Sequence, residues 1–141
     1  QTDWNSEEGT VMPEPLIRDW TSARSLFPNS RIIVHFMQPH YPFINSDLTK
    51  EGIRPDLNHD KEGEDVWKKA QRGIYSQEKV WKAYRANLEE VVEVIENAVQ
   101  SIEGDTIITS DHGNLVGENG LYGHPEGSEA EKLRKVPWET I

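Results

Sequence analysis

The chain has 141 residues, which is enough for one domain with a modest hydrophobic core. Its 25 acidic and 15 basic residues give a formal net charge of -10, which argues against general nucleic-acid binding and against attachment to anionic membranes. The chain has no cysteine, so disulfides and thiolate metal sites are excluded, and it has no apolar run of about 18 residues that would span a membrane.

The first half of the chain contains one strong strand signal. Residues 1–17 are predicted as a loop and residues 18–27 as a short helix. The apolar run RIIVHFM at 31–37 is typical of a buried strand, and the rigid aromatic loop PHYPF follows it. Residues 44–75 are mostly polar and contain glycine and proline, so we predict a long surface excursion there, with a helical turn near 66–71.

The second half contains the clearest helix signal. Apolar residues recur at spacings of three and four over 77–102, which predicts a long amphipathic helix. Ser76 is the predicted N-cap of this helix, and Gly104 is its predicted C-terminal cap. Further along, the sequence Val-Pro-Trp at 136–138 predicts a short edge strand of the kind that tolerates proline.

A second apolar, β-branched strand is predicted at 105–110, directly after the long helix. Strand, helix and strand predict a βαβ unit, in which the strands at 31–37 and 105–110 are parallel and joined by a right-handed crossover. The carboxyl ends of parallel strands share one edge of a sheet, and chemistry collects there. We therefore expect His40, which follows the first strand, to lie near Asp111 and His112, which follow the second.

Asp111 and His112 are the strongest candidate ligands in the chain. A carboxylate oxygen and an imidazole nitrogen together suit a divalent metal ion. The glycine-rich loop after them closes on Gly123-His124-Pro125, which brings a third candidate side chain. Each residue also has a structural interpretation: Asp111 as the cap of an ordinary turn, His40 packed against Tyr41, and His124 as a loop residue.

Three segments taken together resemble a known family. HFMQPHYPF, then TSDHGNLVGENGLYGHP, then LRKVPW resemble the second half of a sulfatase catalytic domain, from the alkaline phosphatase superfamily. The resemblance covers Arg31 to Trp138 and includes the order of the predicted elements. It implies an α/β fold, a partial three-layer αβα sandwich with a mainly parallel sheet. Residues 1–141 would then be the C-terminal part of such a domain.

The resemblance also implies a role for each candidate residue. Asp111 and His112 match the pair that binds the catalytic divalent ion, which is usually calcium in sulfatases and zinc or manganese in relatives. His40 matches the histidine that contacts the sulfate or phosphate group. His124 stands where related hydrolases often carry a lysine, and it would bind the same anion or protonate the leaving-group oxygen. His40 and His124 are thus the expected catalytic and substrate-binding residues.

The chain departs from the family in one important respect. Sulfatases use a nucleophile in a CxPSR-type motif and bind the metal with an earlier Asp-Asp pair, and this sequence matches neither. We therefore expect a part of a longer enzyme that is inactive alone, because a nucleophile and its activating metal act as a unit. Half of a parallel sheet would also leave an open edge, through which the chain could form a homo-oligomer.

The expected function is a metal-dependent sulfuric ester hydrolase that acts on a small-molecule sulfate ester. A phosphoryl hydrolase or transferase, or a phosphomutase, of the same superfamily is an alternative that would act on a phosphate ester. SDHGN also resembles the metal motif of cofactor-independent phosphoglycerate mutases. The other alternative is a non-catalytic remnant that binds a metal or a partner without turnover.

Overall fold

The computed structural model of the protein describes residues 3–48, 65–100 and 104–141. Within these ranges it contains four α-helices and six short strands. The helices are α1 (Pro13–Leu26), α2 (Val66–Gln71), α3 (Gln77–Val99) and α4 (Glu131–Arg134). The strands are β1 (Trp4–Asn5), β2 (Thr10–Val11), β3 (Ile107–Thr109), β4 (Leu115–Val116), β5 (Tyr122–Gly123) and β6 (Trp138–Thr140). None of the described helices is long and apolar enough to cross a membrane.

The predicted three-layer αβα sandwich with a mainly parallel sheet is wrong. In the described residues the strands form three two-stranded sheets, β1–β2, β3–β6 and β4–β5, and all three pairs are antiparallel. In the β3–β6 pair, Ile107 lies opposite Thr140, and Thr109 lies opposite Trp138. The predicted βαβ unit is therefore absent from the part of the chain that the structure describes.

The sandwich prediction fails at residues 31–37, which form no strand in the structure. Residues along this segment alternate between exposed and half-buried, and Ile33 is 93 % exposed. A strand inside a parallel sheet is buried on both faces, and this segment is not.

β3 does form where a strand is predicted, but its partner is β6, which returns antiparallel and needs no crossover helix. Hydrogen bonds between Thr106 and Ile141 extend the pair by one step, with N···O distances of 2.9 and 3.3 Å. The sequence predicts an edge strand at 136–138, but β6 shares only Trp138 with it and runs to Thr140, because the strand begins after the proline that has no N–H to donate.

The chain divides into two compact units. The described residues of Gln1–Gly63 and Lys82–Ser101 form the first unit, and those of Glu64–Trp81 and Ile102–Ile141 form the second. In the first unit, α1 begins five residues before the predicted helix at 18–27, because Pro13 occupies the first turn, where a missing N–H costs nothing. The buried apolar side chains of this unit are Phe43, Ile44, Leu48, Ala83 and Val91.

The second unit is built around α2, which confirms the helical turn predicted near 66–71. Asp65 is its N-cap and accepts a hydrogen bond from the backbone N–H of Lys68 at 2.8 Å. Trp67 of α2 packs over β5 so closely that a Cβ atom on Gly123 would lie 3.1 Å from its ring. The buried apolar residues of this unit are Val66, Trp67, Ala70, Val80, Leu115, Val116 and Leu133.

Helix α3 begins at Gln77, as the sequence predicts. Ser76 is confirmed as the N-cap, because its hydroxyl accepts a hydrogen bond from the N–H of Lys79 at 3.2 Å. The helix is described to Val99, whereas residues 101–103, where its predicted end lies, fall outside the described ranges. Residues 49–64, half of the predicted excursion at 44–75, also fall outside them.

Candidate functional site

Asp111 and His112 lie just beyond the carboxyl end of β3. The backbone N–H of His112 donates to Oδ1 of Asp111 at 2.8 Å, which holds this carboxylate oxygen over the turn. The second oxygen, Oδ2, lies 3.7 Å from Nε2 of His112. The Asp111 side chain is 66 % exposed and the His112 ring is 37 % exposed. A carboxylate oxygen and an imidazole nitrogen thus lie side by side at the solvent boundary.

The hydrogen bond at the other ring nitrogen sets the tautomer of His112. Nδ1 lies 2.8 Å from the carbonyl oxygen of Gly113. A carbonyl oxygen only accepts, so Nδ1 carries the proton and donates it. In the neutral ring, Nε2 then carries the lone pair, which is the state that a metal ligand requires. The contact was not predictable from the sequence, because it depends on the backbone direction at Gly113.

His124 is brought to the same place by the β4–β5 hairpin. Gly123 ends the hairpin with a positive φ of 70°, which favours glycine, and His124 follows it. The centroids of the His112 and His124 rings lie 4.5 Å apart, with the ring planes inclined at 55°. The structure therefore brings together three of the predicted site residues, Asp111, His112 and His124.

His40 belongs to the first unit. Its ring stacks on Tyr41, with centroids 4.4 Å apart and planes inclined at 28°. Its Nδ1 is in hydrogen-bond contact with the carbonyl oxygen of Tyr41, so Nδ1 is the donor here as well. The loop backbone thereby fixes the direction of the imidazole.

Asn87 of α3 anchors the His40 loop, and the sequence analysis missed it. The Asn87 side chain is fully buried. Its Oδ1 accepts from the N–H of Ile44 at 3.2 Å, and its Nδ2 donates to the carbonyl oxygens of His40 at 3.0 Å and Pro42 at 3.4 Å. A signal was present in the sequence, because Asn87 falls on the apolar stripe of the helix, midway between Tyr84 and Val91.

Asp111 and His112 have the donor types and spacing of two ligands on one divalent ion. Their 3.7 Å separation exceeds a hydrogen bond. Neighbouring donor atoms on a tetrahedral zinc ion lie about 3.4 Å apart, so the 3.7 Å between Asp111 Oδ2 and His112 Nε2 is close to that spacing. Among the described residues, no group of three or more His, Cys, Asp or Glu side chains is arranged to hold a metal. Asp111 and His112 therefore fit two positions of a larger coordination sphere.

Glu118 and Lys132 form an ion pair beside the hairpin, and sequence reasoning did not find it as a pair. Lys132 Nζ donates to Oε1 of Glu118 at 2.8 Å, and the N–H of Val116 donates to Oε2 at 2.6 Å. Burial raises the pKa of Glu118, but the hydrogen bonds from Lys132 and from the backbone outweigh it. The pKa of Glu118 therefore lies below its ordinary value of 4.5. Nothing in the sequence pairs two residues that lie 14 positions apart in different elements.

Comparison with protein-family models, curated proteins and solved structures gives no match. The sulfatase resemblance therefore rests on the sequence motifs alone, and the function of the chain is argued from its site.

Proposed function

We propose that the chain supplies part of the divalent-metal centre of a sulfuric ester hydrolase, with Asp111 and His112 as two of the ligands. The observation that carries the proposal is the pair of donor atoms, Asp111 Oδ2 and His112 Nε2, held 3.7 Å apart with the His124 ring alongside. The backbone hydrogen bond at Nδ1 supports the same role, because it presents Nε2 in the form that binds a cation.

Calcium is the proposed ion, with zinc or manganese as the alternatives. A bound divalent cation would supply Lewis-acid polarisation of a sulfate oxygen. The residues of the chain do the rest of the proposed work: Asp111 and His112 hold their donor atoms in place, and His124 contacts the anion or gives a proton to the leaving-group oxygen. Imidazole suits either task, since it gains and loses a proton near neutral pH.

His40 is a proposed anion contact, on the strength of the PHYPF motif and the fixed direction of its ring. Its role is testable on its own by titrating inorganic sulfate into the protein and into His40→Gln. We expect weaker sulfate binding in the variant, measured from imidazole chemical shifts. Equal binding in both proteins would show that His40 does not contact the anion.

A phosphate-ester enzyme of the same superfamily, or a non-catalytic metal-binding protein, would use the same donor pair. The chain has no cysteine and no CxPSR-type motif, so we propose that it binds metal and anion without turnover by itself. Parallel titrations with inorganic sulfate and inorganic phosphate distinguish the two ester classes, because the hydrolase should prefer the anion that its ester releases.

Calorimetric titration of calcium, manganese and zinc tests the metal proposal. We expect micromolar binding by the protein and a loss of more than about tenfold in affinity for Asp111→Asn, which removes the charge of one ligand, and for His112→Gln, which removes the imidazole nitrogen. Asp105→Asn is the matched control, because it removes an exposed carboxylate from the same unit, six positions away. Affinity that is equal in Asp111→Asn and Asp105→Asn, or absent from the folded protein, would contradict the proposal.

A further inference from the structure

An ion pair joins the β4–β5 hairpin, which lies between His112 and His124 in the chain, to α4. Oε1 of Glu118 accepts from Lys132 Nζ at 2.8 Å, and Oε2 accepts from the N–H of Val116 at 2.6 Å. Both carboxylate oxygens are therefore used, one by the hairpin that contains Glu118 and one by the helix α4 that contains Lys132. The Glu118 side chain is 34 % exposed and half-buried, whereas the Lys132 side chain is 69 % exposed and reaches it from the solvent side.

Helix α4 also holds the beginning of the segment between His112 and His124. The N–H of Gly113 donates to the carbonyl oxygen of Leu133 at 3.0 Å. The approach is so close that a Cβ atom on Gly113 would lie 2.1 Å from the carbonyl oxygen of Lys132. Leu133 itself is buried. The helix thus contacts the segment beside His112 through its backbone and at the hairpin tip through the Lys132 side chain.

The backbone of the hairpin tip is unusual. Gly117, Asn119 and Gly120 have positive φ angles of 106°, 53° and 75°. The turn has three backbone hydrogen bonds of its own, from Gly117 to Leu121, from Gly120 to Gly117 and from Leu121 to Glu118, and Asn119 carries a conformational strain that glycine would not. The carboxylate of Glu118 ties this turn to Val116 on one side and to α4 on the other.

We propose that Glu118 and Lys132 are positioning residues. Their ion pair, the latch, joins the β4–β5 hairpin to α4 and so keeps the His112 and His124 rings together. This inference rests on the proposed function, because the two residues support a metal and anion site only if the His112 and His124 rings belong to one. The effect of the latch is transmitted through the hairpin, since β4 begins three residues after His112 and β5 ends one residue before His124.

The variants separate the effect of the charges of the Glu118–Lys132 pair from the effect of a general loss of stability. Lys132→Met removes the ammonium and keeps the length of the side chain, whereas Lys132→Arg keeps the charge. Glu118→Gln removes the negative charge and keeps an oxygen for the N–H of Val116. Arg85→Met is the matched control, because Arg85 and Glu89 form an ion pair of the same 2.8 Å length in the first unit.

The first readout is the nuclear Overhauser effect between the ring protons of His112 and His124. We expect this effect to fall at least about twofold in Lys132→Met and Glu118→Gln, and to keep its intensity in Lys132→Arg and Arg85→Met. The second readout is zinc affinity, which should fall by about tenfold in the first two variants only. A structural role without positioning would lower thermal stability and leave both readouts unchanged.

The outcomes distinguish this inference from the proposed function. Folded Lys132→Met with an unchanged effect between the rings overturns the latch, even when the protein binds zinc. Absence of zinc binding in the unmodified protein overturns the proposed function, while the ring contact still decides the latch. If Glu118→Gln fails to fold, Lys132→Met carries the decision, because it keeps the bond from Val116 to Glu118.

Discussion

Asn87 shows how one buried polar side chain fixes a loop from inside a helix. It is fully buried, and its amide uses both its oxygen and its nitrogen on the backbone of the His40 loop. A buried backbone group that loses its partner costs far more than an exposed one, since water cannot replace the bond. The direction of the His40 backbone therefore depends on a residue 47 positions away.

Asn87→Ala should lower the free energy of unfolding by about 1–3 kcal/mol, because it leaves the N–H of Ile44 and the carbonyl of His40 without their partner. Asn97→Ala is the control, since Asn97 is exposed on the same helix and should change stability by less than about 0.5 kcal/mol. Urea denaturation of the three proteins measures the difference. Equal losses in both variants would count against the anchoring role.

Gly113 is a position where space, and not a positive φ angle, requires glycine. In Gly113→Ala the new Cβ would meet the Lys132 carbonyl oxygen, so the N–H of residue 113 must move away from Leu133. We expect hydrogen exchange at amide 113 to speed up by about tenfold or more. Gly127→Ala introduces strain at a φ of 74° in open space and should leave amide 113 unchanged. Unaltered exchange in Gly113→Ala would refute the close approach.

Among the elements, the β4–β5 hairpin and α4 form the local frame of the site. The hairpin carries His124 at its end, and the Glu118–Lys132 pair joins its tip to the helix. Because the hydrogen bonds lower the pKa of Glu118 in the folded protein, its carboxylate stabilises the fold above the ordinary value of 4.5, and this contribution is lost as the pH falls through the folded-state pKa.

This linkage predicts a pH-dependent difference between the protein and Glu118→Gln. The difference in unfolding free energy should be constant well above pH 4.5 and should shrink as the pH falls below 4.5 through the folded-state pKa of Glu118, because position 118 then carries a neutral side chain in both proteins. Denaturant titrations at a series of pH values measure it. A difference that persists unchanged at acid pH would show that charge is not what Glu118 contributes.

Helices and strands were predictable from the sequence where the pattern that specifies them lies within the element itself. The stripe of α3 and its Ser76 cap lie within the helix itself, and α2 follows directly from its own sequence. Strand β3 was also predictable from its β-branched run. Its partner was not, because an apolar run indicates a strand but not the neighbour that completes its hydrogen bonds, and residues 31–37 have such a run without any ladder.

The residue types of the site were predictable from the sequence, but the contacts that hold these residues in place were not. The motif identified Asp111, His112 and His124, and the structure brings these three together. The carbonyl of Gly113 that sets the His112 tautomer, and the pairing of Glu118 with Lys132, depend on backbone paths that no spacing rule encodes. Loop geometry of this kind is decided by packing, so it becomes visible only in three dimensions.

At the scale of the whole molecule, exposed apolar side chains favour self-association, whereas a net charge of -10 opposes it. Large exposed side chains occur on both strands of the β3–β6 pair, where Ile107 is 48 % exposed and Trp138 is 68 % exposed. A two-stranded sheet has two edges, and no described strand covers either edge of this one. Self-association through such an edge stays a prediction, opposed by charge repulsion between copies.

Sedimentation velocity over a concentration series tests self-association at a physiological salt level, where the repulsion is screened. We expect a dimer that grows with concentration in the protein and in Leu26→Lys, which changes an exposed apolar residue on α1. Ile107→Lys should remain monomeric, because a lysine on an edge strand blocks pairing. A monomer at every concentration, or equal association in both variants, would contradict the edge as the interface.

¹⁵N NMR of the histidine side chains during a zinc titration tests whether Asp111 and His112 form part of a metal centre. We expect Nε2 of His112 to shift at stoichiometric zinc, Nδ1 to keep its proton, and the shift to disappear in Asp111→Asn. The exposed His35 serves as the internal control and should not respond. An unmoved His112 Nε2, or an equal response from His35, would contradict this role of Asp111 and His112.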